Sequence, residues 1–284
     1  MAEGWTRAVA ARPFPKVIAT DLDGTLLNAA GAISDRTAAV LEAYVAAGGL
    51  YVLVTARPPR WLRSLAQMRV PGGVVLACNG AFVVDLSNLT VLESHAFDPI
   101  RAATLVARLR EAFPHMQLAV ETARRMVRDR HFEADPAYDP GLAVDSLENW
   151  LAEARDEPVG KVLGRGGGVD AHSLYEVAAD VVGGGAHLAY SGAVGLLELT
   201  PPHVNKADAL ARWCAERGVP PEQVWAFGDM PNDLPMFAWA GTAFAVANAH
   251  PDVLGAAAAV APHHDEDGVA AVVAAALEQF TSRG

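Results

Sequence analysis

From Lys16 onward the apolar positions fall in short β-rich runs, KVIAT, LYVLVT and GVVLACN, separated by segments whose apolar residues recur at helical spacing. Short buried strands alternating with amphipathic helices are the pattern of parallel βαβ units. The expected fold is therefore α/β, a Rossmann-like parallel sheet core with helices on both faces. Ser34 is placed to cap the first helix, Val40, Leu41, Tyr44 and Val45 share its inner face, and Gly48 and Gly49 end it. A second helix is expected from Pro58 and Pro59, with Trp61, Leu62, Leu65 and Met68 on one side as core residues.

After Asn79 and Gly80 the pattern changes. AFVVD turns at Ser87 and Asn88 into TVLESHAF, an expected hairpin, and Asp98 with Pro99 opens a helix. Two strands around ETARR, a helix near Leu147, the strand PVGKVL, a helix from Asp170 and a final hairpin pair complete an α+β module. The βαβ pattern resumes with a helix through Leu210, Trp213 and Cys214, then the strands VWAFGD and TAFAVAN. The expected division is a parallel-sheet core of 1–80 and 195–284 interrupted by an inserted α+β module of 81–194. Gly192 and Gly195, near the return crossing, are candidate hinges between the inserted module and the core.

Composition narrows the partners. The chain has 284 residues, 52% of them hydrophobic and 19% charged, enough to build one large core or two ordinary ones and too apolar for a disordered chain. Its 22 Lys+Arg against 33 Asp+Glu leave a net charge of −11, which repels a polyphosphate backbone, so no nucleic-acid partner is expected. Cys78 and Cys214 are too few for a disulfide scaffold and are expected as small core residues. Arg7, Arg12, Pro13 and Pro15 break the first segment as a secretory signal, and the apolar runs VLGAAAAVA and GVAAVVAAAL fall short of the ~18 residues of a membrane span. A cytoplasmic protein with no membrane partner, monomer or homodimer, is the expectation.

The sharpest chemical signal is DLDGTLL. Asp21 and Asp23 follow directly on the strand KVIAT, and Gly24 allows a tight turn. Side chains at i and i+2 of an extended segment share a face, so both acids can meet one ligand beyond the carboxyl ends of the strands. Such an acid pair is costly without a cation. Three further sites share that location. Thr55 ends LYVLVT and offers a hydroxyl, with Arg57 two residues on; Lys206 heads the helix NKADAL, where a cation opposes the helix dipole unless an anion sits nearby. GDMPND then delivers Asp229, Asn232 and Asp233 in one turn after a buried strand, a set suited to a hard divalent cation. His263, His264 and Asp265 form a polar loop, and Glu198 and Asn248, assigned to strand ends of the resumed core, are additional substrate-side candidates.

With these residues in order, the sequence resembles the haloacid dehalogenase superfamily of phosphohydrolases, and within it the Cof-type phosphatases with a large cap inserted after the second core motif. DLDGTLL, VTAR, the lysine of NKADAL and GDMPNDLPMF are the four motifs of that family in sequence order. The resemblance makes 1–80 and 195–284 a catalytic core and 81–194 its cap, and it implies a Mg2+-dependent phosphatase acting on a small phosphorylated metabolite of the sugar-phosphate kind. Asp21 would be the nucleophile that forms an aspartyl-phosphate and Asp23 the acid/base. Thr55 and Lys206 would hold the phosphoryl oxygens, and Mg2+ would sit on Asp21, Asp229 and the backbone carbonyl of Asp23, supported by Asp233 and Asn232. Backbone at Leu22 and Gly24, with Arg57, Asn79 and Gly80, would complete the phosphate and substrate contacts. A phosphomutase using the same aspartyl-phosphate, and a non-catalytic binding module, are the alternatives.

Overall fold

A computed structural model describes residues 2–65, 73–134, 141–154, 156–166, 171–189 and 195–283. Met68 and Gly192 lie outside the described residues. Two sheets organise the chain. The first begins with β1 (Val17–Thr20), β2 (Leu50–Val54) and β3 (Val74–Ala77), then turns back through β4 (Phe82–Asp85) and β5 (Val91–Ser94). The second holds β6 (Met116–Thr122), β7 (Met126–Asp129), β8 (Leu142–Val144), β9 (Val159–Gly166), β10 (His187–Ala189) and β11 (Leu196–Thr200). The chain then returns to the first sheet with β12 (Val224–Gly228), β13 (Thr242–Val246) and β14 (Ala259–Ala261).

The first sheet has the order β14-β13-β12-β1-β2-β3-β4-β5, and its strands from β14 to β3 are parallel. β1 is buried along its whole length, as are β12 and β13, which is why they are written as unbroken apolar runs. The expected first helix spans Asp35–Ala46, with the Ser34 hydroxyl accepting the Thr37 N–H at 3.0 Å. The segment from Pro59 forms a 3-10 helix to Leu65. An N-terminal helix, Ala2–Ala10, buries Val9 in the main core, an element that the sequence pattern did not announce.

The second sheet has the order β10-β11-β9-β6-β7-β8 and is antiparallel except for the β7–β8 pair. One face packs on helices Pro99–Ala112, Leu147–Glu153 and Ala171–Val182 through Leu105, Leu151, Leu174, Val162 and Leu197.

These pairings move the expected boundaries. β4 and β5 continue the first sheet, Leu76 pairing with Val83 and Phe82 with Ser94, so the hairpin after residue 81 belongs to the core sheet. β11 pairs with β9 and β10, so the segment after residue 195 still belongs to the second sheet. The chain leaves the first sheet after Ser94 and returns after Thr200. Gly195, at φ +70°, therefore sits inside the second unit and not at a crossing. Glu198 lies in the second sheet too, not in the resumed core.

Candidate active site

β12, β1 and β2 lie side by side, and the residues just past their carboxyl ends are Asp229, Asp21 and Thr55. Adjacent strands are spaced by about 4.8 Å, so topology alone brings these three side chains to one rim. Backbone pairing continues one step beyond the strands, Asp21 N–H donating to Phe227 O at 3.0 Å and Thr55 N–H to Leu76 O at 3.0 Å.

Lys206 enters from the first turn of the helix Lys206–Ala215, which Asn205 caps. Lys206 is 2% exposed, and its ammonium donates to Asp21 Oδ1 and Asp233 Oδ1, both at 2.7 Å. Burial alone would push the ammonium down, but the two carboxylates outweigh it and hold it above its ordinary value. Asp233 accepts the N–H groups of Asp229 and Met230 through Oδ2, at 3.0 Å each, which fixes the turn of GDMPND. Asp21, Asp229 and Asp233 each offer an oxygen within 4.8 Å of the others. One ammonium does not neutralise three buried carboxylates. Burial first, then the neighbouring acids, raise Asp21 well above the usual carboxylate range; burial and Asp233 push Asp229 up to about 6, against the Thr25 hydroxyl, which donates to it at 2.7 Å. An all-oxygen set with surplus negative charge fits a hard cation, and the residues present suit one.

Gly24 is required here. Its φ is +74°, and a Cβ on it would lie 2.5 Å from Asp229 Oδ2. Asn248 braces the same turn, donating to Gly24 O at 2.7 Å and accepting from His264 N–H at 3.1 Å. His264 itself bonds Leu27 O at 2.7 Å and Asp265 accepts from Ala29 N–H at 2.7 Å, so this loop ties the turn down.

Of the other expected residues, Arg57 is buried and its guanidinium grips Asp23 with both arms, Nε to Oδ2 at 2.8 Å and Nη2 to Oδ1. The Asp23 carboxylate thus faces Arg57, while the acid cluster is formed by Asp21, Asp229 and Asp233. The Leu22 side chain is fully buried, which leaves only its backbone to face a ligand. Gly80, at φ +100°, lets the chain pass against Ala209 of the lysine-bearing helix; it is a packing position. Asn79, 2% exposed, has neither amide atom hydrogen-bonded, and Asn232 Oδ1 is likewise buried and unpaired. Both face a cavity of about 200 Å³ beside Lys206, and Asn232 also faces the cavity that Asp21, Thr55 and Lys206 line, whose lining does not include Asn79.

The larger cavity at the acid cluster, about 360 Å³, opens between the two sheets, with Asp21, Asp23, Thr55, Arg57 and Lys206 on one side. The other side carries Glu121, Lys161, Arg165 and Glu198 from β6, β9 and β11, of which only Glu198 was anticipated. Lys161 Nζ bonds Glu198 Oε2 at 2.6 Å, and Arg60 from the first unit grips Glu121 at 2.8 and 3.2 Å, clasping the second sheet over the site. Both pairs are buried. A single charge recurring at i and i+4 of the apolar strand VGKVLGR was the available signal for Lys161 and Arg165.

Together with this fold and acid cluster, the family match and the relatives named as phosphatases give the class, the phosphoric monoester hydrolases. A model of the haloacid dehalogenase-like hydrolases matches residues 18–273, and the chain belongs to that family, as a phosphatase of the Cof type. It is 27% identical over 268 residues to 5-amino-6-(5-phospho-D-ribitylamino)uracil phosphatase YitU of Bacillus subtilis, covering 90% of this chain and 95% of the relative. Pyridoxal phosphate phosphatase YbhA of Escherichia coli is 25% identical over 279 residues, covering 90% and 96% respectively. A haloacid dehalogenase-like hydrolase from Bacteroides thetaiotaomicron superposes with a TM-score of 0.73 at 27% identity, covering 94% of this chain and 99% of that one. No helix among the described residues is long and apolar enough to cross a membrane.

Proposed function

We propose that this phosphatase hydrolyses a small phosphorylated metabolite of the sugar-phosphate kind through an aspartyl-phosphate on Asp21, with Mg2+ on Asp21, Asp229 and the Asp23 carbonyl, Asp233 beside them. The observation that carries this reading is the convergence of Asp21, Asp229 and Asp233 within 4.8 Å, with Lys206 bonded to two of them. Relatives named as phosphatases of phosphorylated small molecules support the substrate class.

Asp21 attacks phosphorus in line while the ester P–O bond breaks, and the leaving oxygen takes a proton from the Asp23 carboxyl. Water then attacks the phosphorus, Asp23 accepts its proton, and the Asp21–phosphate bond breaks to release inorganic phosphate. The Arg57 fork orients the Asp23 carboxylate and leaves an acceptor position on each oxygen for the proton it passes on. Lys206, the Thr55 hydroxyl and backbone near Gly24 orient the phosphoryl oxygens. The divalent ion supplies charge neutralisation at those oxygens. A general acid contributes only ~10²–10⁴-fold, so positioning and charge must supply most of the acceleration.

A panel of phosphate monoesters assayed with Mg2+ and with EDTA tests this. Free phosphate is expected only with the ion; an isomeric ester in its place marks a mutase, and full activity in EDTA contradicts the metal assignment.

Metal binding should also have a pH signature. A carboxyl raised on folding from 3.8 to about 6 favours the ion-free fold at low pH, and this contribution is lost as pH rises through about 6. Mg2+ needs the ionised oxygens, so its effect runs the other way. Saturation at 100 times Kd is worth ~2.7 kcal/mol. Mg2+ is expected to raise Tm by roughly 5–10 °C at pH 7.5 and far less at pH 5, measured by differential scanning calorimetry; equal gains at both would count against the triad as ligands.

A further inference from the structure

The second-sheet wall of the cavity is a small grid set by strand register. Glu121 pairs with Lys161, Ala119 and Glu198 flank Leu163, and Gln117 and Leu196 flank Arg165. Lys161, Leu163 and Arg165 share the cavity face of β9 by their spacing of two, while Val162 and Gly164 face the helices, where a Cβ on Gly164 would meet Met116. The charges of this grid are not evenly matched. Lys161 is held by Glu198, Arg60 by Glu121, Arg57 by Asp23, and Lys206 by Asp21 and Asp233. Arg165 has no carboxylate partner among the described residues, and its Nε is buried without a hydrogen bond. Its register neighbours are an amide and a leucine, and the Phe132 ring lies 6.0 Å from the guanidinium carbon.

A guanidinium with a desolvated, unused donor is costly, and its planar fork matches a carboxylate or a phosphate. Apolar neighbours strengthen that match by lowering the local dielectric. We infer that the leaving group of the substrate carries its own anionic group, a carboxylate or a second phosphate, which seats on Arg165 at the far wall of the cavity while the scissile phosphate faces Asp21. This rests on the phosphatase reading above and narrows it: a neutral polyol phosphate leaves Arg165 unsatisfied. The acids of the grid are already engaged by Arg60 and Lys161, which leaves Arg165 to recognise the ligand's charge.

The test compares matched esters: glycerol 3-phosphate against 3-phosphoglycerate, and glucose 6-phosphate against glucose 1,6-bisphosphate. At least one anion-bearing member is expected to show kcat/KM about tenfold or more above its neutral partner, as one charge-assisted contact allows. Preference within the first pair alone assigns a carboxylate, within the second alone a phosphate. Arg165→Gln should erase the preference, chiefly through KM, and Arg165→Lys should keep part of it, with circular dichroism melting as the check on folding. Equal or better turnover of the neutral members, or a preference unchanged in Arg165→Gln, overturns the inference and leaves the phosphatase reading intact. No phosphate release from these or any other ester overturns both.

Discussion

Replacing Asp21 with asparagine is expected to lower kcat by at least ~10⁴-fold, the scale on which nucleophile deletions act. The amide keeps the shape of the side chain, and its oxygen can still accept from Lys206 Nζ, now 2.7 Å away. What it lacks is a carboxylate oxygen able to form an acyl phosphate. Because burial and the acids at 229 and 233 already raise Asp21, removing its charge relieves repulsion in the ion-free protein. The variant should therefore melt no lower than the parent while releasing almost no phosphate. Activity within tenfold of the parent would remove Asp21 from the chemistry.

The second large effect concerns Lys206. Changing it to alanine strips the partner from two carboxylates that are 6% and 0% exposed. Breaking a buried ion pair from one side typically costs 3–5 kcal/mol, here on the order of 10 °C in Tm for a chain of this length. Lost orientation and charge at the phosphoryl oxygens should cost a further ~10²–10³-fold in kcat. Urea unfolding and phosphate release measure the two separately, and Mg2+ should restore part of the stability by neutralising the same oxygens. A variant as stable as the parent would contradict the view that this lysine neutralises Asp21 and Asp233.

Much of the first sheet and its rim was legible, because each motif follows a buried strand and a parallel sheet gathers the carboxyl ends of its strands on one rim, although nothing in the pattern says that β12 lies beside β1. Asp21, Thr55 and Asp229 could be brought together without coordinates for that reason. Sheet membership was harder. Alternation in AFVVD and TVLESHAF announces a hairpin, but nothing in a period of two says which sheet it extends; main-chain pairing of Leu76 with Val83 decides it. The opposite wall was hidden by a similar ambiguity. Glu121, Lys161 and Arg165 look like a solvated strand face until β6 and β9 are laid over the site. Asn79 and Gly80 stand together where the pattern changes, yet only the fold separates the first, with its unpaired buried amide, from the second, pressed on Ala209.

The hairpin's place in the first sheet has a practical consequence for building chimaeras. Among the described residues between Ser94 and Thr200 none forms a strand of the first sheet, so this stretch could be grafted from another family member with every β1–β5 and β12–β14 pairing preserved. The donor segment would need a carboxylate where Glu121 meets Arg60, or the seam would lose this buried two-armed ion pair. A splice drawn at residue 81 would instead remove β4 and β5 and turn β3 into a bare edge inviting self-association.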